Sequence, residues 1–303
     1  MFQKPFFNRI ALIGAGLIGS SLSRVIKKKN LSNEIVVCAR RDETLNIVKK
    51  LDLAHIVTKD LTFAVTDADL VVLCTPVGVY EALAKRMSPA LKQGSIVSDV
   101  GSVKQSAINM VKPYLADGVH FVPGHPIAGT ENSGPESGFD TLFENRWVIL
   151  TPESGTDQNA ISKVEELWRC AGAKTEIMDA KHHDRVLAIT SHVPHLIAYT
   201  IVGTATDLED RLKAEVVKFA ASGFRDFTRI AASDPVMWRD IFVHNRNAVL
   251  EMLGRLTEDI STLQRYVRDS DADKMEELFS RTREIRRSVI EAGQHILPSP
   301  SKD

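Results

Sequence analysis

Residues 10–29 read IALIGAGLIGSSLSRVIKKK. Four apolar residues, Ile10–Ile13, run into a glycine-rich turn, and the residues after it carry apolar side chains at helical spacing. Gly14, Gly16 and Gly19 form G-x-G-x-x-G between a strand and a helix, the context in which this pattern points to a dinucleotide. Gly14 permits the tight turn, Gly16 lets backbone approach a pyrophosphate, and Gly19 lets helix and strand pack closely. Leu17 and Ile18 open the helix, whose free N–H groups and positive end suit phosphates. These five positions are the expected cofactor cradle.

Working outward, "EIVVCA" (34–39), "ADLVVLCTP" (68–76), "GSIVSDV" (94–100) and "HFVPGHP" (120–126) are β-rich and bounded by turn residues. Amphipathic stretches at 20–29, 43–51, 79–87 and 103–115 separate them. Continuous apolar strands alternating with helices predict a parallel sheet covered on both faces. A strand at 146–152, a helix at 157–171 and a strand "KTEIM" follow. From about residue 180 helical periodicity takes over, at 181–206, 213–221, 235–268 and 271–292. The expected class is therefore α/β: a Rossmann-like doubly wound parallel sheet over residues 1–179, then an all-helical domain over 180–297. The tail 298–303 is expected to fray. The spare apolar face of the helical half predicts a homodimer.

Lys plus Arg number 38 against 39 Asp plus Glu. That balance offers no basic surface for nucleic acid or an anionic membrane. Three scattered cysteines, Cys38, Cys74 and Cys170, lack the spacing of a disulfide framework or zinc site. No metal is expected. No signal-peptide pattern opens the chain, and no apolar stretch reaches the ~18 residues of a membrane span. The expected location is cytoplasmic.

The second strand should end in an acid for the adenine ribose, about 20 residues past the glycines. Here it reads Ala39, Arg40, Arg41. A guanidinium suits a 2′-phosphate, so the cofactor is expected to be NAD(P)+ with a lean toward NADP. Stacking of Arg40 on adenine with NAD bound is the alternative. Thr75 and Pro76 fall where the sheet would meet the nicotinamide.

Two further loops should reach the same edge. "SDVGSVK" (98–104) offers Ser102 and Lys104, and "VPGHPIAGTENSG" (122–134) offers His125, Thr130 and Glu131. Oxidising an alcohol-bearing carbon requires a proton acceptor, and a neutral histidine is suited to it. On the first helix of the second half, Asp184, Ser191 and His195 share one face. His192 reads as a core or capping residue, while His182 and His183 read as exposed. Pro194 frees the Thr190 carbonyl and should kink that helix. In "SGFRDFTRIAASDPVMWRDIF" (222–242), Arg225 and Arg229 read as inward guanidinium groups for a substrate carboxylate, and Arg239 as solvated.

"GLIGSS", "SDVGSVK", "GHPIAGTE", "SHVPH" and "GFRDFTRIAASDPVMWRDI", in this order, resemble the prephenate/arogenate (cyclohexadienyl) dehydrogenase family of tyrosine biosynthesis. The resemblance runs from the first strand to about residue 293. It implies oxidative decarboxylation of prephenate to 4-hydroxyphenylpyruvate, of arogenate to tyrosine, or of both, in a dimer whose partner chain closes part of the site. It implies His125 as the catalytic base and Ser102 as the residue orienting it. It further implies Arg229 as the carboxylate partner, with Ser191, His195, Thr130 and Trp238 lining the pocket and Glu131 with Asp226 gating it. No fused mutase or regulatory segment is expected.

Two rivals have sequence tests. A β-hydroxyacid dehydrogenase would carry a lysine base in G-x-x-x-K-x-x-N, and that run is absent. A non-catalytic NADPH-binding redox sensor would not need His125, Ser102 and Arg229 together.

Overall fold

Six short strands, β1 (Phe7–Ile13), β2 (Ser32–Cys38), β3 (Ile56–Thr58), β4 (Leu70–Leu73), β5 (Ile96–Asp99) and β6 (His120–Val122), form one sheet in the order β3-β2-β1-β4-β5-β6. Every pairing in it is parallel. The computed structural model describes residues 5–206, 215, 218 and 221–291. Helices α1 (Leu17–Lys28), α2 (Asp42–Lys50), α3 (Leu61–Val65), α4 (Tyr80–Met87) and α5 (Lys104–Val111) supply the crossovers.

The continuous apolar runs follow from burial on both faces. Ile10 and Leu12 of β1 and Leu70 and Val72 of β4 enter one core, together with Leu22 and Ile26 of α1. Their neighbours Ala11, Ile13, Val71 and Leu73 enter a second core with Ala84 and Met87 of α4 and Ala107 and Val111 of α5. Strand side chains alternate between faces, so a strand with two cores beneath it needs apolar residues at every position.

The expected single strand 120–126 is two strands in two sheets. β6 completes the parallel sheet, and after Pro123 the chain turns into β7 (Gly124–Pro126). β7 pairs antiparallel with β8 (Trp147–Leu150), which pairs parallel with β9 (Lys174–Ile177). Pro123 has no N–H for a ladder, and its carbonyl accepts from Thr151 N beside β8. β3 and α3, short and weakly patterned, are further elements that periodicity did not mark.

Helix α6 (Gln158–Cys170) buries Ile161, Val164, Leu167 and Trp168 on one stripe, and Asp157 caps it by accepting from Ala160 N. The helical half begins at α7 (Ala180–Leu187), capped by Asp179. The run expected at 181–206 is interrupted: a wide, π-type turn at Ala188–His192 joins α7 to α8 (Val193–Thr206). Pro194 lacks the N–H that would reach Thr190, which fits the irregular turn at that point.

Then come α9 (Ser222–Thr228), a 3₁₀ turn at Arg229–Ala232, α10 (Pro235–His244), α11 (Arg246–Arg268) and α12 (Ala272–Glu291). Most of the segment expected as a helix at 213–221 lies outside the described residues, as does the tail 298–303. Contrary to expectation, one run, Ala180–Ala205, is long and apolar enough to span a membrane by length and composition. Only 28% of its apolar window is buried within the chain, and its first turns carry Asp184 and Arg185. Val243, Leu250, Ile260, Val267, Phe279 and Ile285 also stand more than half exposed on the helical half.

Candidate active site

The strand register places the expected loops in a row. Ile13 pairs with Cys38 and Leu73, Leu73 with Asp99, and Ser98 with Val122. Gly14, Ala39–Arg40, Cys74–Pro76, Val100–Ser102 and Pro123–His125 therefore leave the carboxyl edge of the sheet side by side. That edge is where open α/β sheets bind ligands.

The glycine turn has the geometry of a phosphate cradle. Gly14 has φ +104°, and a Cβ there would meet Cys74 O at 2.7 Å. A Cβ on Gly19 would meet Gly14 O at 2.6 Å, so only glycine lets α1 sit this close to the strand. At Gly16 a Cβ would meet nothing within 4 Å, which leaves open space above the helix start. The first turn of α1 has no side-chain cap and no acid. Its N–H groups, with the positive helix end, are left to an anion. Thr75 Oγ1 is buried with no partner beside this turn. Arg40 and Arg41 are exposed after β2. The residues present fit a dinucleotide: the open space at Gly16 would take its diphosphate, and Arg40 would face its adenosine end.

His125 sits on β7 and is buried, 8% exposed. Its loop is pinned by a buried ion pair in which Lys104 Nζ lies 2.5 Å from Asp99 Oδ2. Asp99 Oδ1 accepts from Gly124 N at 3.2 Å, and Lys104 Nζ donates to Gly124 O at 2.7 Å. Burial, helped by His183, Lys104 and His192 nearby, holds the His125 pKa well below the ordinary histidine range. The ring is therefore uncharged at neutral pH, as a proton acceptor must be.

His125 Nδ1 is 2.8 Å from His183 Nε2, and His183 Nδ1 is 2.8 Å from Asp184 Oδ1. His183 is fully buried, so the expectation of an exposed histidine at that position is corrected; His182, its neighbour, is exposed. Asp184 also accepts from Lys104 N at 2.8 Å and Gln105 N at 3.0 Å, capping α5 from the helical half. His192 is buried: its Nδ1 accepts from Asn245 Nδ2 at 3.0 Å, and Asn245 also donates to Asp184 O. Burial lowers the His192 pKa to about 4.

Ser102 is half-buried in the loop after β5, and no hydrogen bond is described between it and His125. Its neighbour Val103 packs against Trp238 and Ile241 of α10. Trp238, 6% exposed, stacks on His195 with centroids 3.6 Å apart. His195 Nδ1 donates to Ser191 O at 2.9 Å, which leaves Nε2 as its acceptor. Arg229 pairs with Glu131 at 2.5 Å across the two halves, and both are partly exposed. Thr130, one residue before Glu131, accepts from Asn132 N at 3.3 Å. Arg225 and Arg229, expected to turn inward, are both exposed, as is Asp226, with Arg229 engaged by Glu131. Arg239 is exposed and bonded to its neighbour Asp240, whose carboxylate lies against Gly78 just after Pro76.

Asp99, His183 and Asn245 were missed as members of this cluster. The one available signal was Asp184, since a buried carboxylate must find donors and an adjacent histidine is one. Among the described residues, no group of three or more His, Cys, Asp or Glu could hold a metal ion.

Comparisons with known proteins agree with this geometry. The family model described as "Prephenate dehydrogenase, nucleotide-binding domain" matches residues 22–177, and "Prephenate dehydrogenase, dimerization domain" matches residues 179–281. The cyclohexadienyl dehydrogenase of Zymomonas mobilis is 39% identical over 280 residues, covering 92% of this chain and 95% of that one. The prephenate dehydrogenase of Bacillus subtilis is 33% identical over 91% of this chain and 75% of its own. Among solved structures, A. aeolicus prephenate dehydrogenase in complex with hydroxyphenyl propionate and NAD+ superposes with a TM-score of 0.87 at 30% identity. That match covers 93% of this chain and 98% of that one.

Proposed function

Because the chain belongs to the prephenate dehydrogenase family, we propose that His125 is the base of its reaction and Arg229 the anchor for a substrate carboxylate. The reaction is NAD(P)-dependent oxidative decarboxylation of prephenate or arogenate. The observation that carries the role of His125 is its burial, uncharged, on β7 just past the carboxyl end of β6, on the sheet edge from which the glycine turn also leaves.

The bound nicotinamide supplies the hydride acceptor. His125 takes the proton of the ring hydroxyl, so carbonyl character develops at that carbon as its hydride leaves. The ring carboxylate then departs as CO₂, its bonding pair enters the ring and pushes the carbonyl electrons onto oxygen, and that oxygen takes the proton back from His125 to give an aromatic phenol. Aromatisation drives the reaction, so the chain mainly positions the parts and excludes water. Arg229 is held by Glu131 until a substrate carboxylate competes for it. Ser191, His195, Thr130 and Trp238 would form the pocket wall, Asp226 and Glu131 would carry charge at its mouth, and Ser102 would orient His125 and the ring hydroxyl. Val103 against Trp238 supports this grouping.

Steady-state rates with prephenate and arogenate, each with NAD+ and NADP+, test the reading. Turnover of at least one substrate is expected, and turnover of neither removes it. The nucleotide-binding unit is taken as 1–179 and the helical unit as 180–297. Exposed apolar residues on the helical half support a homodimer, for which sedimentation should give twice the monomer mass. The relatives are named for dehydrogenases of small molecules, which supports a small-molecule substrate as the partner of this site.

A further inference from the structure

The contacts behind His125 determine which of its nitrogens is free. Asp184 accepts from Lys104 N, Gln105 N and His183 Nδ1, so its carboxylate faces only donors. His183 Nδ1 must then carry a proton. Burial opposes a charge on His183, so its Nε2 holds a lone pair and can only accept. His125 Nδ1 is 2.8 Å away and must be the donor, which leaves the His125 lone pair on Nε2.

We propose that His183 and Asp184 are positioning residues that hold His125 in the tautomer whose Nε2 accepts the substrate proton. After proton uptake His125 is a cation, and its Nδ1–H is already bonded to His183. Lys104, whose ammonium opposes that charge, is offset by Asp99, while Asp184 lies one ring beyond His183. His192 adds no charge of its own while buried and neutral. The chain Asp184–His183–His125 thus crosses from α7 to β7 and joins both halves at the reacting group. This inference rests on the reading of His125 as the base.

The test uses the full chain labelled with ¹⁵N-histidine, read by NMR near neutral pH, together with steady-state kinetics of two variants. In the wild type His125 should show the Nδ1–H tautomer. His183→Asn keeps a group near Nδ1 but ends short of Nε2; kcat should fall ~10²-fold or more with KM little changed. His125 should then lose its single tautomer. His183→Gln places an amide oxygen near the former Nε2 and should recover most of kcat. An Nε2–H tautomer of His125 in the wild type overturns the proposal, as does an unchanged kcat in His183→Asn. Should His183→Asn fail to fold, the wild-type spectrum and His183→Gln still decide. A wild type inactive on both substrates removes the functional reading alone, because the tautomer is read without substrate.

Discussion

His125 shows how little of a residue's role lies in its own identity. An imidazole on a surface loop would sit near its ordinary pKa and be half protonated at mildly acid pH. Buried on β7, it stays neutral and is gripped by His183. His125→Asn should therefore lower kcat ~10²-fold or more while leaving KM near wild type, since a base acts mainly in the transition state. Activity near wild type would reassign the proton acceptor. Arg40 offers a separate test, because its exposed guanidinium follows β2 where an acid would otherwise bind ribose. Arg40→Asp should move the ratio of NADP to NAD efficiency toward NAD, and an unchanged ratio would leave Arg40 merely stacking on adenine. The run that carries His125 stood out because Gly124 and Pro126 flank it, and the segment of Arg229 because arginines alternate there with aromatic residues and acids; the roles of His125 and Arg229 are those proposed above. His183 did not stand out. It and His182 are adjacent at a helix start, and only the ~100° between successive helical positions sends one to solvent and the other to His125.

Elements divide the same way. The parallel strands were legible because burial on two faces leaves an unbroken apolar run, which no solvent-facing strand shows. The split of 120–126 into β6 and β7 was not, since a change of partner from β5 to β8 leaves no mark in composition. The interruption between α7 and α8 was half legible through Pro194, whose missing N–H announces a fault without specifying a wide turn. Helix α1 gives a prediction that separates packing from binding. Gly19→Ala puts a Cβ 2.6 Å from Gly14 O, a backbone atom, so α1 must back away at a cost of ~1–3 kcal/mol. Gly16→Ala meets open space and should leave the urea midpoint nearly unchanged while weakening cofactor binding. Equal loss of stability in both variants would contradict this division.

At the scale of the whole molecule, three histidines, His125, His183 and His192, are buried with lowered pKa values. Well above pH 6.5 neither the folded nor the unfolded chain holds a proton on His192, so nothing is lost. As pH falls from 6.5 toward about 4, the unfolded chain takes up that proton while the folded one resists. Stability is lost over that window, by about 3 kcal/mol for His192, with His125 and His183 acting in the same direction. Urea midpoints of the wild type at pH 7 and pH 4.5 should differ more than those of His192→Gln. An identical acid slope in the two proteins would place the loss elsewhere.

Asp184 belongs to α7 but its carboxylate caps α5, Asn245 just before α11 donates to the Asp184 backbone carbonyl, and Ser106 of α5 donates to His244 O. The seam that looks natural on paper, just before Ala180, therefore severs the cap from the helix it completes. Chimaeras that exchange helical halves between relatives at that seam inherit mismatched partners unless α5 travels with α7. A workable crossover has to follow the hydrogen bonds rather than the order of the chain.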